Sequence, residues 1–242
     1  MILAAEVFRY CERGADPGFW AEPLNALTNA AFLVAAIAAG RQLARVRGLR
    51  AAPVEWLLVG VLAAIGAGSF LFHTFATRWS AIADAAPIGI FMFVYLAYAL
   101  RRLVGLPWLG VAAGLGAFAY AMHLADGIAC RITLVSAMEA ARGPCLNGSA
   151  AYLPALSAMV LIGAALKAMR HAASGHVLAA AMVFLVSMVF RTLDWELCDI
   201  ARLGGRALGT HFMWHLLNAV TLYLLAEAAI VHGGVRASPL RS

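Results

Sequence analysis

Charge is what this sequence has least of. Only 12% of its 242 residues are Asp, Glu, Lys or Arg, against roughly 25% in a soluble domain. No hydrophilic block is long enough to be a soluble domain, although length alone would permit two. Lysine is nearly missing: Lys167 stands alone among 18 basic residues. The Ala/Arg/Gly-rich, lysine-poor composition points to a GC-rich genome and a bacterial source. No basic n-region precedes the short apolar start, and Glu6, Arg9, Glu12 and Arg13 follow quickly; the expectation is that this is not a signal peptide. There is no sequence repeat, and no low-complexity tract beyond Ala/Leu/Gly-rich helices.

What fills the chain is apolar. Hydrophobic residues make up 64%, and the mean hydropathy is +0.85. A spanning helix takes about 20 residues, and the sequence divides into seven such runs: 22–40, 53–74, 84–100, 108–126, 150–166, 177–193 and 209–231. The expected fold is all-α, a polytopic bundle of seven transmembrane helices forming one domain over residues 1–242. Residues 1–21 form an extramembrane lead and 232–242 a tail. The net charge of +6 and pI near 9.5 do not suggest nucleic acid, because the basic residues sit at segment ends. Ten of them (Arg41, Arg45, Arg47, Arg50, Arg101, Arg102, Lys167, Arg170, Arg236, Arg241) fall on one side of the expected topology, and seven (Arg9, Arg13, Arg78, Arg131, Arg142, Arg202, Arg206) on the other. Basic loops stay cytoplasmic, so the N-terminus is expected outside and the tail inside. In a bacterium this is an inner-membrane protein whose outer helix ends face the periplasm.

All four cysteines (Cys11, Cys130, Cys145, Cys198) then lie on the non-cytoplasmic side, where disulfides persist. Four cysteines allow three pairings. Cys130 with Cys145 would close one loop; Cys11 with Cys198 would tie the lead to the loop before the seventh span.

The same layer collects polar residues that are costly in lipid. His211 and His215, four apart, share a face of the seventh span. Ser69 and His73 share a face at the end of the second span, and Asp84 opens the third. Ionisable groups inside a membrane are functional candidates. Three histidines with an open position is the arrangement of catalytic zinc. A nearby carboxylate can move protons, and a hydroxyl can donate to an oxyanion. Taken singly, each residue has an ordinary reading: an interfacial histidine, a helix cap, a small packing serine. Together at one depth they favour zinc hydrolysis. His123 and Asp126 lie at the same level in the fourth span as further partners, and Arg191 with Asp194 reads as an ion pair. A transporter would place charges at mid-membrane, and these do not.

These residues resemble the alkaline ceramidase family, within the seven-helix membrane hydrolases that include the adiponectin-receptor-like proteins. The resemblance covers nearly the whole chain. Four segments carry it: Tyr10-Cys11-Glu12 with Ala21-Glu22-Pro23-Leu24-Asn25-Ala26-Leu27-Thr28-Asn29; Ser69-Phe70-Leu71-Phe72-His73; Asp84-Ala85-Ala86-Pro87; and His211-Phe212-Met213-Trp214-His215. It implies zinc on His73, His211 and His215, with Asp84 as acid/base and Ser69 at the oxyanion. It implies a ceramide-type lipid substrate cut at the amide, and a Cys11–Cys198 disulfide. By analogy with animal members it also implies calcium on Glu12 and Glu22, with Asp16 assisting; Arg9 and Gly14 depart from that pattern. The rival reading is a seven-helix receptor or sensor whose zinc is structural.

Overall fold

The computed structural model describes residues 2–47, 52–128 and 145–233. It is almost entirely helical, with seven helices long and apolar enough to cross a membrane. In lipid each backbone N–H and C=O must be satisfied within the segment, which helices do. Side chains such as Leu109 (83% exposed) and Leu161 (69%) cover the outer faces, as expected where the surroundings are hydrocarbon rather than water. The protein is a multi-pass integral membrane protein.

The first span is two helices in line, α1 (Pro23–Thr28) and α2 (Ala30–Arg47). The break falls at Asn29. There the Thr28 hydroxyl bonds back to the carbonyls of Leu24 and Asn25, and Asn29 Nδ2 bonds the Asn25 carbonyl; side chains that bond the preceding turn in this way compete with regular helix. Next come α3 (Pro53–Phe75) and α4 (Arg78–Tyr98), which runs on through a wide turn at Ala99–Leu103. The helix α5 (Trp108–Asp126) lies at the edge of the bundle. A tight turn at Cys145–Tyr152 leads into α6 (Leu153–Ala168), followed by α7 (Ser174–Thr192). A two-residue hairpin, β1 (Arg202–Leu203) with β2 (Arg206–Ala207), precedes α8 (His211–His232). The helix α8 is enclosed by α2, α3 and α7.

The third span begins six residues earlier than its hydropathy suggests. Ala76 ends α3 in the left-handed conformation (φ 45°), and a reciprocal Thr77–Ser80 cap starts α4 at Arg78. Asp84 is therefore in the second turn of α4 and is no N-cap. At the opposite end of the bundle, the Tyr98 hydroxyl donates to Glu55 Oε1 (2.8 Å) and bonds the Ala229 carbonyl, and Arg47 Nε donates to Ile230 O. Those bonds fix α2, α3, α4 and α8 where they converge.

Residues before α1 lie across the other end of the bundle. Val7 N donates to Ala76 O and Arg78 N to Ala5 O, while Tyr10, Cys11, Glu12 and Arg13 are buried. The lead is thus part of the packed body.

Candidate metal centre

Three histidines from two helices meet beneath this lead. His73 sits in the last turn of α3; His211 and His215 occupy the first two turns of α8. Each is 1% exposed. Ring centroids are 4.7 Å apart for His73–His215 and His211–His215, and 5.2 Å for His73–His211. One ligand nitrogen of each lies within 4.8 Å of the others. No fourth His, Cys, Asp or Glu joins the group among the described residues.

The hydrogen bonds around the rings decide what they can hold. His73 Nδ1 lies 2.5 Å from Glu22 Oε2, and an ionised carboxylate only accepts, so this nitrogen carries the proton. Thr28 Oγ1 spends its hydrogen on the carbonyls of its own helix and must accept from His215 Nδ1 at 2.9 Å. Both rings are thereby set with the Nε2 lone pair free. Those two Nε2 atoms, and His211 Nδ1, are buried without a hydrogen-bond partner. A buried polar atom left unpaired costs about 1–3 kcal/mol. One nitrogen of each ring lies within 4.8 Å of the others, and imidazole nitrogens, as borderline donors, fit a zinc-type ion.

Glu22 is the centre of the support. Its second oxygen takes Arg13 Nε (2.5 Å), and Asn25 Nδ2 donates to the first (3.0 Å). Burial by itself would raise its pKa; His73, Arg13 and Asn25 outweigh that and hold it below the usual carboxylate value. Arg13 also donates to the carbonyls of Asp16 and Gly18, and to those of His73 and Thr74 at the end of α3.

Calcium on Glu12, Glu22 and Asp16 finds no such geometry. Both Glu12 oxygens accept the backbone amides of Leu24 and Asn25, capping α1. Asp16 bonds Gly18 N at the surface, and Glu22 serves His73. The three carboxylates form no shared cluster, and the Arg13 guanidinium neutralises Glu22 instead.

Asp84 and Ser69 stand at the rim. Ser69 is buried one turn before His73; Asp84 is half-buried on α4, with Ser69 and His73 close enough to act on its charge. The approach of the two helices depends on two residues without obvious chemistry. Pro87 has no N–H to return to the Ala83 carbonyl, and that carbonyl faces Gly68. A Cβ at Gly68 would lie 2.0 Å from Ala83 O and 2.7 Å from Ala83 C.

The remaining wall is the lead itself. Tyr10 stacks on His211 with centroids 3.6 Å apart, and burial pushes its hydroxyl up to about 12. Cys11 is disulfide-bonded to Cys198. The other expected pair, Cys130–Cys145, involves Cys130, which lies outside the described residues. Asp194 binds three amides: Oδ2 takes Cys11 N (2.9 Å), and Oδ1 takes Thr210 N (2.8 Å) and His211 N (2.9 Å). Burial raises its pKa, and these amides work against the rise. Gly209 makes the arrangement possible. Its φ is +61°, and a Cβ there would lie 2.2 Å from Asp194 Oδ1. Asp194 therefore caps α8, and the expected Arg191–Asp194 ion pair does not form. His123 and Asp126 are exposed on α5 and join none of these bonds among the described residues.

A model of the family described as Ceramidase matches residues 10–232. The chain belongs to the ceramidase family. The matched region runs from Tyr10 to the end of α8 and holds every residue of the centre. No curated protein matches the chain. Among the residues that build this ceramidase-family site, sequence reasoning missed the roles of Glu22, Thr28, Arg13 and Asp194. Each is polar and close to a proposed motif residue, yet its partner lies 51 to 187 positions away for Glu22–His73, Thr28–His215, Arg13–His73 and Asp194–Cys11.

Proposed function

We propose that this protein is a zinc-dependent intramembrane hydrolase that cleaves the amide of ceramide, yielding a sphingoid base and a fatty acid. The observation that carries the reading is the set of three histidines, each with a buried free nitrogen, two of them locked in one tautomer by Glu22 and Thr28. His73, His211 and His215 would hold the ion. When bound, zinc supplies Lewis acidity and brings the pKa of water to about 7. Asp84 would accept the proton of the attacking water and deliver it to the departing amine. Ser69 would donate to the oxygen that gains charge as the carbonyl carbon becomes tetrahedral. Overall, water and the amide become a carboxylate and an ammonium group. The buried lead and the bundle keep bulk water away, so charge on these few groups acts at low dielectric.

A structural zinc site, the rival reading, is normally closed by four protein ligands. The three-ligand group, with an acid and a hydroxyl beside it, supports catalysis instead. The excess of basic residues in the loops at the far end supports an orientation with the centre on the outer side of a bacterial inner membrane.

The test uses purified protein and a fluorescent ceramide. Release of sphingoid base should stop on chelation, return with zinc, and fall sharply in Asp84→Asn. Stoichiometric zinc without hydrolysis of any ceramide would leave the structural reading standing.

A further inference from the structure

At the end of the bundle away from the histidines, a groove of about 810 Å³ lies between α3 and α4. Its wall changes character along its length. Leu57 of α3 and Val94 and Ala97 of α4 make an apolar part; Arg101 and Arg102, in the wide turn that ends α4, make a basic part. Val94 and Ala97 precede Arg101 by seven and four residues, roughly 10 and 6 Å along the axis at the standard rise. The oily wall therefore lies deeper in the membrane than the two arginines. Trp108, 68% exposed at the start of α5, borders the same groove. Indole rings collect at the level where hydrocarbon gives way to headgroups.

No acid lines this groove. Arg101 donates to Leu106 O at 3.2 Å and lies over the Trp108 ring, 5.3 Å from its centroid. Among the described residues neither Arg101 nor Arg102 forms an ion pair with a carboxylate, and both are exposed. The acids at this end of the bundle are engaged elsewhere. Glu55 is buried, accepts the Tyr98 hydroxyl and lies 4.0 Å from Arg47. Glu227 meets Gln42 and His176. Residues 48–51 and 234–242, which follow α2 and α8 in sequence, add Arg50, Arg236 and Arg241 and no acid. A soluble anion would use the arginines and leave the apolar wall idle. A neutral lipid would do the reverse. A phospholipid with a net negative headgroup uses both, and basic pockets between membrane helices hold such headgroups.

We propose that this groove is a binding site for one anionic phospholipid, its phosphate on Arg101 and Arg102 and an acyl chain along Leu57, Ala97 and Val94. The planar guanidinium groups suit phosphate oxygens. The groove adjoins the point where the Tyr98 hydroxyl joins α4 to Glu55 of α3 and to the Ala229 carbonyl of α8, so a lipid seated there braces that junction. Occupancy of this site does not depend on hydrolysis at the other end.

The experiment is quenching of tryptophan fluorescence in the full-length protein, reconstituted without substrate into phosphatidylcholine vesicles. The vesicles carry an increasing share of either brominated phosphatidylglycerol or brominated phosphatidylcholine. The chain has six tryptophans, and Trp108→Phe measured in parallel isolates the Trp108 signal. An arginine near the surface favours an anionic lipid by about fivefold. Half-maximal quenching of Trp108 should therefore need about a tenth or less as much brominated phosphatidylglycerol as brominated phosphatidylcholine. Arg102→Gln should raise the phosphatidylglycerol requirement about fivefold, and Arg101→Gln with Arg102→Gln should make the two lipids equivalent. Arg102→Lys keeps the charge and should retain the preference, which preserves the test if the Gln variants do not fold. Equal quenching by the two lipids in the native protein would overturn the proposal, and so would a preference that survives the double substitution. Arg41 and Arg45 are exposed on α2 and do not line the groove. A preference lost equally in Arg41→Gln with Arg45→Gln would belong to the whole basic face and would also overturn it. Displacement of the brominated lipid by inorganic phosphate would mark a free-anion site instead, with the same consequence.

Discussion

Gly68→Ala is the substitution in which one methyl group tests how the centre is assembled. The helices α3 and α4 approach at Gly68, where the carbonyl of Ala83, freed by Pro87, lies against the glycine. An added Cβ would fall 2.0 Å from that oxygen, where ordinary contact begins at 3.4 Å, so the backbone of α4 must move by about 1.4 Å at that point. The next residue is Asp84. Overpacking of this kind costs typically about 1–3 kcal/mol, which a bundle with this much buried surface survives. A 1 Å misplacement of a catalytic group, by contrast, costs on the order of a hundredfold in rate. We therefore expect Gly68→Ala to fold, to hold zinc on the undisturbed histidines, and to lose about a hundredfold in kcat with a small change in KM. The measurements are ceramide turnover, zinc content, and a thermal melt of the same preparation. Turnover within a few-fold of the native rate, in a protein that melts normally, would show that Asp84 does not depend on this contact and would refute the argument. Loss of zinc would equally show that the effect travels through His73 instead.

Other predictions follow from the support of the site. Glu22→Gln removes the anionic partner of His73 and leaves Arg13 unbalanced; zinc affinity, measured by competition with a chelator, should drop about 10–100-fold. Cys198→Ser opens a link spanning 187 residues and should cost about 2–5 kcal/mol of stability, read as a lower unfolding midpoint in denaturant. Ser69→Ala should lower kcat by about 100–1,000-fold with zinc content unchanged. For orientation, a membrane-impermeant thiol reagent on reduced intact cells should label Cys198 from outside; labelling only after lysis would reverse the assigned topology.

The sequence by itself determined the seven spans, because membrane insertion reads local hydropathy and needs no partner. It also placed His73 and His211 at helix ends on one side of the bundle, whereas Asp84, read as the start of its span, lies in the second turn of α4. The residue types favoured a nitrogen-ligated metal, and the three histidines form a group that could hold one. Only the tertiary structure decided how those residues are held. Glu22 was legible as a buried acid near a span, but whether it binds a cation, an arginine or a histidine depends on which helix end lies across from it. Arg191 and Asp194 have the spacing of an ion pair, and a local rule pairs them. The lead overrides that rule by presenting three amides to Asp194, while Arg191 donates to the Tyr10 hydroxyl. Gly68 and Pro87 look like ordinary helix residues until two helices are brought into backbone contact. In each case the deciding partner is distant in sequence, and hydropathy and spacing carry no information about it. Packing selects it because a buried charge or carbonyl must find a partner from whatever the fold places beside it.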